Sequence, residues 1–325
     1  MTLRLTILLL ALPGLVTAAH AQNAGPGTGE KVSWDSAVCS GVPFTCRKLK
    51  ASGYLFATPG AKSAVMISHG SQGIDSRMYD YVDSLRKEGF AALVIDHWTP
   101  RGIGVTHNDY VAAGKKGGNE INMAADSLTA ADWLRTRGYE KVGSIGESQG
   151  GAAALMLQQK FAHALIERNV RRLYGKSFQL KPVDAVVGLY GYCGYRNAKR
   201  DAYAGTPLLL ITAEADDNTP SRYCERHVGW INARGGKADI VVMRRQGHSF
   251  DAPYSQIYST GPHYGKCDIL IDDSGISELN SGTKMPGDDV AAMMARCVSR
   301  GYHTGHSNHR FVAVPHWIGF FKQHL

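Results

Sequence analysis

Short apolar runs alternate with amphipathic stretches along most of the chain. The runs have the length and composition of strands that are buried on both faces, and they lie at residues 64–67, 90–95, 141–145, 183–190, 207–212 and 238–243. Apolar residues at helical spacing predict helices at residues 79–87, 121–134, 152–165, 221–233 and from about 314 to the end. This alternation is typical of an α/β fold, in which helices cover both faces of a mostly parallel sheet.

Two segments lack this periodicity. Residues 98–118 are rich in Gly, Thr, His and Asn, which predicts a long loop over one end of the sheet. Residues 254–309 contain many Gly and Ser residues, and we interpret them as an irregular excursion before the last helix. Because no internal repeat or charged linker divides the chain, residues 22–325 are expected to form one domain.

The N-terminus has the organisation of a secretory signal peptide. Arg4 precedes a short apolar run, and an Ala-His-Ala cleavage site ends at Ala21. The run is shorter than the ~20 residues that a transmembrane helix needs, and no later segment is apolar enough to cross a membrane. We therefore expect residues 1–21 to be removed and the mature chain, from about Gln22, to be secreted or periplasmic without membrane contact. An uncleaved membrane anchor is the alternative.

An exported chain meets an oxidising compartment, and this one has six cysteines. An even number is typical of a disulfide framework. In the first and last pairs each cysteine is matched with its nearest remaining partner in sequence, inside a segment with little predicted regular structure. In the middle pair both cysteines are expected beyond the same edge of the sheet. The predicted disulfides are Cys39–Cys46, Cys193–Cys224 and Cys267–Cys297.

The composition indicates a globular protein and no macromolecular ligand. Of the 325 residues, 44% are hydrophobic, which is enough for a sizeable core. The net charge of +8 is spread along the chain, and no block of Lys and Arg interleaved with aromatic residues is present. We therefore expect no binding of nucleic acid.

The pattern Gly146-Glu147-Ser148-Gln149-Gly150 matches G-x-S-x-G. The pattern alone is common, but here it follows a predicted strand and opens a predicted helix. That context is typical of a nucleophile elbow, a sharp turn that lifts a serine hydroxyl above the sheet. Ser148 is therefore the candidate nucleophile. The alternative is an inert serine in a glycine-rich turn.

A serine nucleophile needs a base, and after such an elbow an acid and then a histidine follow along the chain. Asp216 follows the fifth predicted strand, and His248 follows the sixth. Because parallel sheets place their sites at the carboxyl ends of strands, we expect these side chains to meet. His248 would take the Ser148 proton and Asp216 would orient and stabilise the imidazole. Asp217 is the alternative acid.

Hydrolysis through an acyl-enzyme also needs donors for the developing oxyanion. The N–H group of Gln149 is one candidate, and Ser71, in the loop after the first predicted strand, is the other. His69 in the same loop is expected to be structural. In the loop after the second strand, Trp98 offers an apolar wall and Arg101 an anion contact, so both are predicted to bind substrate. The alternative is that Trp98 packs in the core and Arg101 pairs with a local carboxylate.

In combination these motifs resemble the dienelactone hydrolase family over residues 48–252 and the last helix. The matching segments are His69-Gly70, Asp96 to Gly102, Gly146 to Gly151, Asp216 to Pro220 and His248 to Asp251. The resemblance implies an α/β-hydrolase fold and an activity on small-molecule esters. The founding activity of the family uses a cysteine where this chain has Ser148. That difference favours general ester hydrolysis, through an acyl-enzyme intermediate, over dienelactone hydrolysis.

Two other functions fit the same residues. A serine peptidase uses such a triad on amides, and a non-catalytic binding protein can retain the fold. His303, His306 and His309 are regularly spaced, but their Gly-rich surroundings favour loop histidines over a metal site. We expect neither a metal nor a cofactor, and the sequence carries no signal for an oligomeric state.

Overall fold

The computed structural model describes residues 29–40, 45–104, 110–175, 180–287, 289–307 and 310–325. The predicted signal peptide and its cleavage before Gln22 lie outside these residues, as does His309. The strands, in chain order, are β1 (Glu30–Ser40), β2 (Thr45–Phe56), β3 (Ser63–Ser68), β4 (Ala91–Asp96), β5 (Lys141–Glu147), β6 (Ala185–Leu189), β7 (Tyr195–Asn197), β8 (Pro207–Ala213), β9 (Lys237–Met243), β10 (Ile257–His263), β11 (Ile269–Asp272), β12 (Gly275–Glu278), β13 (Thr283–Met285) and β14 (Ser299–Thr304). The helices are α1 (Ser76–Lys87), α2 (Tyr110–Lys115), α3 (Glu120–Thr136), α4 (Gln149–Met156), α5 (Lys160–Tyr174), α6 (Ser221–Asn232), α7 (Val290–Cys297) and α8 (Val314–His324).

The central sheet has eight strands in the order β1-β2-β4-β3-β5-β6-β8-β9. β2 pairs antiparallel with β1 and with β4. Every pairing from β4 through β9 is parallel. The prediction of a mostly parallel sheet is therefore confirmed, and its inner strands β3 and β6 are buried along their whole length.

Helices pack on both faces of the sheet and create two apolar cores. On one face, α3 and α5 contribute Leu128 and Val170. On the other face, α1 and α8 contribute Leu85, Trp317 and Phe321. Trp317 and Phe321 are fully buried. Because burial of one large apolar side chain contributes roughly 1.5–3 kcal/mol, these two residues anchor the C-terminal helix to the sheet.

The β1–β2 hairpin has no counterpart among the predicted strands. Trp34 and Ala51 face the core, whereas Lys48 and Lys50 on β2 face away from it. The register of the pair places Cys39 opposite Cys46, one residue from the end of β1. One face of this edge is solvated and carries many charged residues. Its strands therefore alternate between apolar and polar residues and do not form the continuous apolar runs by which the other strands were recognised.

The single helix predicted at residues 152–165 is wrong, because two helices, α4 and α5, occupy this part of the chain. Between them the backbone pairs with a neighbouring segment instead of continuing as a helix. The N–H group of Lys160 donates to the carbonyl of Ala202 at 2.8 Å, and that of Ala204 donates to the carbonyl of Gln158 at 2.8 Å. The break turns α5 back across the sheet.

The loop expected at residues 98–118 includes some regular structure. A short 3-10 turn, Thr99–Arg101, follows β4, and α2 lies farther along. The missing apolar periodicity is explained by the shortness of both elements.

The excursion expected to be irregular, residues 254–309, has regular structure. β10 and β14 form an antiparallel pair. A second small sheet has the order β13-β12-β11-β7. Its apolar core comprises Ile269, Ile271, Ile276 and Met293. The strands are only three to seven residues long, so their sequence shows too few alternations to be recognised.

Three disulfides join the cysteines in the predicted pairing, Cys39–Cys46, Cys193–Cys224 and Cys267–Cys297. Such a framework fits a protein of an oxidising compartment, outside the cell or in the periplasm. None of the helices in the described part of the chain is long and apolar enough to span a membrane.

Candidate active site

Ser148 lies in a sharp turn between β5 and α4. Its backbone has φ 50° and ψ −112°, a conformation that a non-glycine residue rarely adopts. Glycines make room for the turn. A Cβ atom on Gly146 would lie 2.1 Å from the carbonyl oxygen of Gly150, and one on Gly150 would lie 2.3 Å from that of Ser68. The sequence G-x-S-x-G therefore forms the elbow, which presents the Ser148 hydroxyl at the edge of the sheet.

Ser148, His248 and Asp216 form one chain of hydrogen bonds. The Ser148 Oγ atom lies 3.0 Å from His248 Nε2, and His248 Nδ1 lies 2.9 Å from Asp216 Oδ2. The three residues follow β5, β9 and β8, so the parallel sheet brings them to one edge. In the tautomer that this network implies, Nδ1 donates to Asp216 and Nε2 accepts the serine proton.

Asp216 is buried and well supplied with donors. Its Oδ1 atom accepts the N–H groups of Asn218 at 2.9 Å and Thr219 at 2.7 Å. Burial opposes ionisation of the carboxyl, but His248 and the Thr219 donors outweigh it and keep its pKa below the ordinary value. Asp216 is therefore an anion that orients the imidazole.

Asp217, the alternative acid, points away from this chain of hydrogen bonds. It is exposed, and its Oδ2 atom contacts His303 Nδ1 at 3.0 Å. The geometry thus assigns the acid position to Asp216.

The two candidate oxyanion donors belong to different segments of the chain. Gln149 directly follows Ser148 and begins α4, and the N–H groups of a first helical turn lack intrahelical partners. Its side chain is buried and donates to the carbonyl of Gly118 at 3.2 Å, so the backbone N–H is the group that remains as the candidate donor. Ser71 lines the same cleft as Ser148.

Trp98 does not line this cleft, which corrects the substrate role predicted for it. The indole is 4% exposed and packs with Ile103 and Met123. Its Nε1 atom donates to the carbonyl of Ser71 at 3.2 Å. Trp98 therefore supports the oxyanion loop from below instead of contacting substrate.

Arg101, the predicted anion contact, is also buried. Its guanidinium donates to both carboxylate oxygens of Asp126, at 2.7 and 3.1 Å, and to the carbonyls of His97 and Asn122. Neither side chain of the pair is exposed. The loop after β4 follows a strand at the active edge, but its arginine is directed into the core and reaches no substrate.

A second Ser–His–Asp contact occurs in this core. His97 lies 3.1 Å from Ser68 Oγ and 2.9 Å from Asp126 Oδ2. All three residues are buried, and burial lowers the pKa of His97. Since Ser68, His97 and Asp126 are at most 3% exposed, no substrate reaches this group, and we interpret it as structural.

His69 has the buried position and backbone contacts expected of a structural histidine. The ring is completely buried, with Nδ1 on the carbonyl of Gly70 at 2.7 Å and Nε2 accepting the N–H of His97 at 3.1 Å. Burial, followed by repulsion from His97, lowers its pKa to about 3. The neutral ring holds the loop that carries Ser71.

The excursion forms one wall of the cleft, a role for which the sequence contained no signal. Tyr302 and Thr304, on β14, line the cleft together with His248. Thr304 pairs with His248 as a β-bridge, and the N–H of Gly305 donates to the carbonyl of His248 at 2.9 Å. The segment thereby fixes the histidine loop from the side opposite the sheet.

Residues 78–264, more than half of the chain, match the sequence profile of the prolyl oligopeptidase family. The chain belongs to this family. With the hydrogen-bonded serine, histidine and aspartate at the sheet edge, it is a serine hydrolase of the α/β-hydrolase fold.

Solved structures of similar fold include dienelactone hydrolases and an esterase. A protein described as a dienelactone hydrolase, from Klebsiella pneumoniae, is 17% identical over 68% of this chain and 89% of its own, with a TM-score of 0.45. A dienelactone hydrolase from Anabaena variabilis is 23% identical over 68% and 90%, with a TM-score of 0.44. A thermophilic esterase from Thermogutta terrifontis, bound to propionate, is 14% identical over 62% and 81%, with a TM-score of 0.47. No curated protein matches the chain.

This family member also has a buried charge cluster beside its nucleophile, which sequence reasoning missed. Glu147 contacts Arg77, and Tyr190 joins Glu147 to Asp251. Burial raises the pKa of Glu147 to about 7 and the neighbouring acids Asp75 and Asp251 add to the effect, against the opposing charge of Arg77. The only sequence signal was a charged residue at the second position of the elbow.

The described residues contain no group of three or more His, Cys, Asp or Glu side chains suited to a metal ion. Two of the regularly spaced histidines, His303 and His306, make other contacts. The His303 side chain contacts Asp217, and the carbonyl of His306 accepts the N–H of Gln256 at 3.1 Å. These contacts fix the excursion to the acid loop and to its own first strand.

Proposed function

We propose that the protein hydrolyses carboxylic esters of small molecules through an acyl-enzyme intermediate, with Ser148 as the nucleophile. One observation carries this proposal, namely the unbroken hydrogen-bond chain from Ser148 Oγ through His248 to Asp216, at 3.0 and 2.9 Å. Ser148 is partly exposed, whereas the other two side chains are buried. A substrate therefore reaches the hydroxyl, and water does not compete for the imidazole.

His248 can accept and return each proton that the reaction moves. Ser148 Oγ attacks the ester carbonyl carbon as His248 Nε2 takes its proton. The tetrahedral intermediate collapses, and His248 returns that proton to the departing alcohol. Water then attacks the acyl-enzyme, giving one proton to His248, and the ester bond to Ser148 breaks. His248 restores the serine proton, and the carboxylic acid leaves.

Gln149 and Ser71 are the proposed donors to the oxyanion. The backbone N–H of Gln149 lies at the N-terminus of α4, where the helix dipole also favours negative charge. Ser71 reaches the cleft from the opposite loop, and Trp98 holds its carbonyl. Two such donors stabilise the tetrahedral intermediate more than the ester, which accelerates the reaction.

The walls of the cleft support a small ester, since Tyr302 and Thr304 close it on one side. An extended peptide needs a groove that is open along ~3.3 Å for each residue. Family membership favours peptide hydrolysis as the second candidate function. A peptidase would cleave peptide p-nitroanilides faster than p-nitrophenyl acetate, whereas the proposed esterase shows the opposite order.

The charges around the cleft favour uncharged esters. Among the described residues that line it, Arg77 is the only cation. Its donors contact Asp75, Glu147 and Tyr190. A carboxylate on the substrate would find no free positive partner there, and Glu147 would repel it. We therefore propose that neutral esters are preferred over acidic ones.

Ser148→Ala tests the central assignment, with Ser144→Ala on the same strand as the matched control. Loss of the nucleophile is expected to reduce kcat by about 10⁴–10⁶-fold and to abolish labelling by a fluorophosphonate. The control keeps both properties. If wild-type protein resists the fluorophosphonate, it is a binding protein that kept the fold. If Ser148→Ala retains turnover, another residue is the nucleophile.

We also propose that residues 1–21 direct export and that residues 22–325 form one exported α/β-hydrolase domain. The three disulfides support an oxidising destination. N-terminal sequencing of the protein recovered from periplasm or medium should read from about Gln22. Recovery of the intact N-terminus in the membrane fraction would support an uncleaved anchor instead.

A further inference from the structure

The residue before the nucleophile has a carboxyl group with no access to solvent and three polar partners. Glu147 has a side chain that is 1% exposed. Its Oε1 atom accepts the N–H of Gly70 at 2.8 Å. Its Oε2 atom contacts Arg77 Nη1 at 2.6 Å and the Tyr190 hydroxyl at 2.7 Å. The carboxyl therefore joins the elbow to three other parts of the chain.

The first partner belongs to the oxyanion loop. Gly70 directly precedes Ser71, the proposed oxyanion donor. A Cβ atom on Gly70 would lie 2.9 Å from Glu147 Oε1 and 3.2 Å from the Cβ atom of Ser148, so loop and elbow are in close contact. A displacement of the Glu147 carboxyl would consequently move the backbone that places Ser71 opposite Gln149.

The second partner fixes the carboxyl itself. Arg77 donates to Asp75 through Nε and Nη2, at 3.0 and 2.5 Å, and Asp75 caps the N-terminus of α1. The guanidinium is 3% exposed and held on two sides. Arg77 thus gives Glu147 a rigid support that depends on α1 and not on the loop.

The third partner reaches the other two triad segments. The Tyr190 hydroxyl also contacts Asp251 at 2.6 Å, in the loop after β9 that carries His248. The Tyr190 carbonyl accepts the hydroxyl of Thr219 at 3.0 Å, and the N–H group of Thr219 donates to Asp216 at 2.7 Å. The cluster around Glu147 is therefore connected to the nucleophile, acid and base segments together.

A purely stabilising function explains this arrangement poorly. A buried ion pair gains little over an apolar packing of the same shape, because both charges lose their hydration. Arg77 is already balanced by Asp75, so Glu147 adds a carboxyl that the pair does not need. An apolar residue at this position could not accept the hydrogen bond that Glu147 Oε1 accepts from the N–H of Gly70.

We propose that Glu147 is a positioning residue that holds the Gly70–Ser71 loop at the distance from Ser148 that the oxyanion requires. The inference rests on the proposed hydrolysis and adds to it a determinant of rate. Glu147 itself touches no substrate, since its carboxyl is occupied by Gly70, Arg77 and Tyr190.

Glu147→Met and Glu147→Gln test this inference in the full-length protein. Methionine fills the volume but accepts no strong hydrogen bond, and Arg77 keeps Asp75. We expect kcat for p-nitrophenyl acetate to fall about 10–100-fold with KM nearly unchanged, since loss of a complete oxyanion donor costs about 10²–10³-fold. The rate constant for fluorophosphonate labelling should fall by a similar factor. Glutamine retains an acceptor for Gly70 and should recover most of both rates.

Asp268→Asn is the matched control for loss of a buried carboxylate. Asp268 lies in the excursion, is 1% exposed and pairs with Arg196 on β7 and Arg226 on α6, and it does not line the cleft of Ser148. It should lower the melting temperature without lowering kcat. Equal kcat and labelling rates in Glu147→Met and wild type would overturn the inference, as would a loss that Asp268→Asn reproduces.

Two further outcomes have separate meanings. If Glu147→Met does not fold, Tyr190→Phe decides, because it removes one support of the carboxyl and keeps the ring. It should lower kcat about threefold to tenfold, in proportion to a partial displacement, and an unchanged kcat would overturn the inference. If the wild-type protein is labelled by the fluorophosphonate but hydrolyses no ester, only the proposed function is contradicted. The ratio of the labelling rate constants of Glu147→Met and wild type still measures the effect of Glu147.

Discussion

The ring of Tyr302 stands edge-on to the imidazole of His248, with 5.5 Å between their centroids and 88° between their planes. Tyr302 also lines the cleft, so it is the part of the excursion that limits the space beside the nucleophile. Tyr302→Ala should raise kcat/KM for p-nitrophenyl butyrate relative to the acetate by about tenfold, a change of about 1.4 kcal/mol. Tyr258→Ala, at an exposed tyrosine on the adjacent strand, is the control. An unchanged butyrate-to-acetate ratio in Tyr302→Ala would contradict the position of this wall.

Asp216 and Asp217 are adjacent in sequence but should differ sharply in effect. Asp216→Asn removes the anion that fixes the imidazole tautomer, and kcat is expected to fall by about 10⁴-fold. Asp217→Asn loses only an exposed contact to His303 and should keep kcat within about twofold, since such pairs contribute about 0–1 kcal/mol. Steady-state kinetics of both variants measures the difference. Comparable losses of kcat in the two variants would contradict the assignment of the acid to Asp216.

The triad could be predicted from sequence because each member carries a local signal. Ser148 has the flanking Gly146 and Gly150 that its turn requires. Asp216 and His248 each follow directly on an apolar strand, and the parallel order of the strands brings their ends together. For these residues, sequence order and strand ends together predict proximity.

Trp98 and Arg101 were assigned wrongly for a physical reason. Sequence indicates which loop follows a strand but not the direction in which a side chain points from it. Arg101 turns inward because Asp126, on α3, offers both carboxylate oxygens within the core. Tyr302 and Glu147 were missed because their partners are distant in sequence and no local spacing marks them.

Arg101→Gln should destabilise the protein without changing substrate preference. The substitution leaves the Asp126 carboxylate buried without its countercharge, which costs about 3–5 kcal/mol. Chemical denaturation measures the loss. The ratio of kcat/KM for a neutral ester to that for its acidic analogue should stay as in wild type. A shift of this ratio toward neutral esters would indicate that Arg101 does contact the substrate. Lys50→Gln, at an exposed ion pair, should cost at most about 1 kcal/mol.

Two buried neutral histidines should weaken the protein in acid. Burial lowers the pKa of His69 to about 3 and that of His227 to about 4. Their stabilisation is complete above the unfolded pKa of about 6.5 and is lost as pH falls toward the folded values, by up to ~1.4 kcal/mol per pH unit for each ring. The pKa of Glu147 is raised from 4.5 to about 7, which has the opposite effect. Its contribution to the free energy of unfolding grows as pH falls from 7 to 4.5, because the folded state binds the proton more readily.

His227→Asn isolates one part of this pH dependence. The His227 Nδ1 atom donates to the carbonyl of Cys193 at 3.0 Å, and an asparagine amide can replace that donor. The difference in unfolding free energy between wild type and variant should therefore shrink by ~1.4 kcal/mol per unit between pH 6 and 4.5. His316→Asn, on the exposed face of α8, controls for the substitution itself. A difference that stays constant across this range would show that His227 takes up a proton in the folded state.

The Cys193–Cys224 disulfide should support activity as well as stability. It joins the segment after β6 to α6, and the loop carrying Asp216 lies between β8 and α6. Closing a separation of 31 residues contributes roughly 3–4 kcal/mol in the chain-entropy description, against roughly 2.5 kcal/mol for the separation of 7 residues between Cys39 and Cys46. Both double alanine variants should consequently melt below wild type.

Only the variant at Cys193 and Cys224 should also lose kcat, because that bond holds α6, the helix that directly follows the Asp216 loop, to the segment after β6. The Cys39–Cys46 bond joins β1 to β2, at the opposite end of the sheet from β8 and β9, and is not expected to affect the acid loop. Peptide mapping of the non-reduced protein first establishes that the bonds are present, and a free thiol at Cys193 would contradict the pairing. With the bonds established, equal kcat values in the two double variants would mean that α6 positions the acid loop by packing alone. A selective loss in the first variant would assign that function to the disulfide.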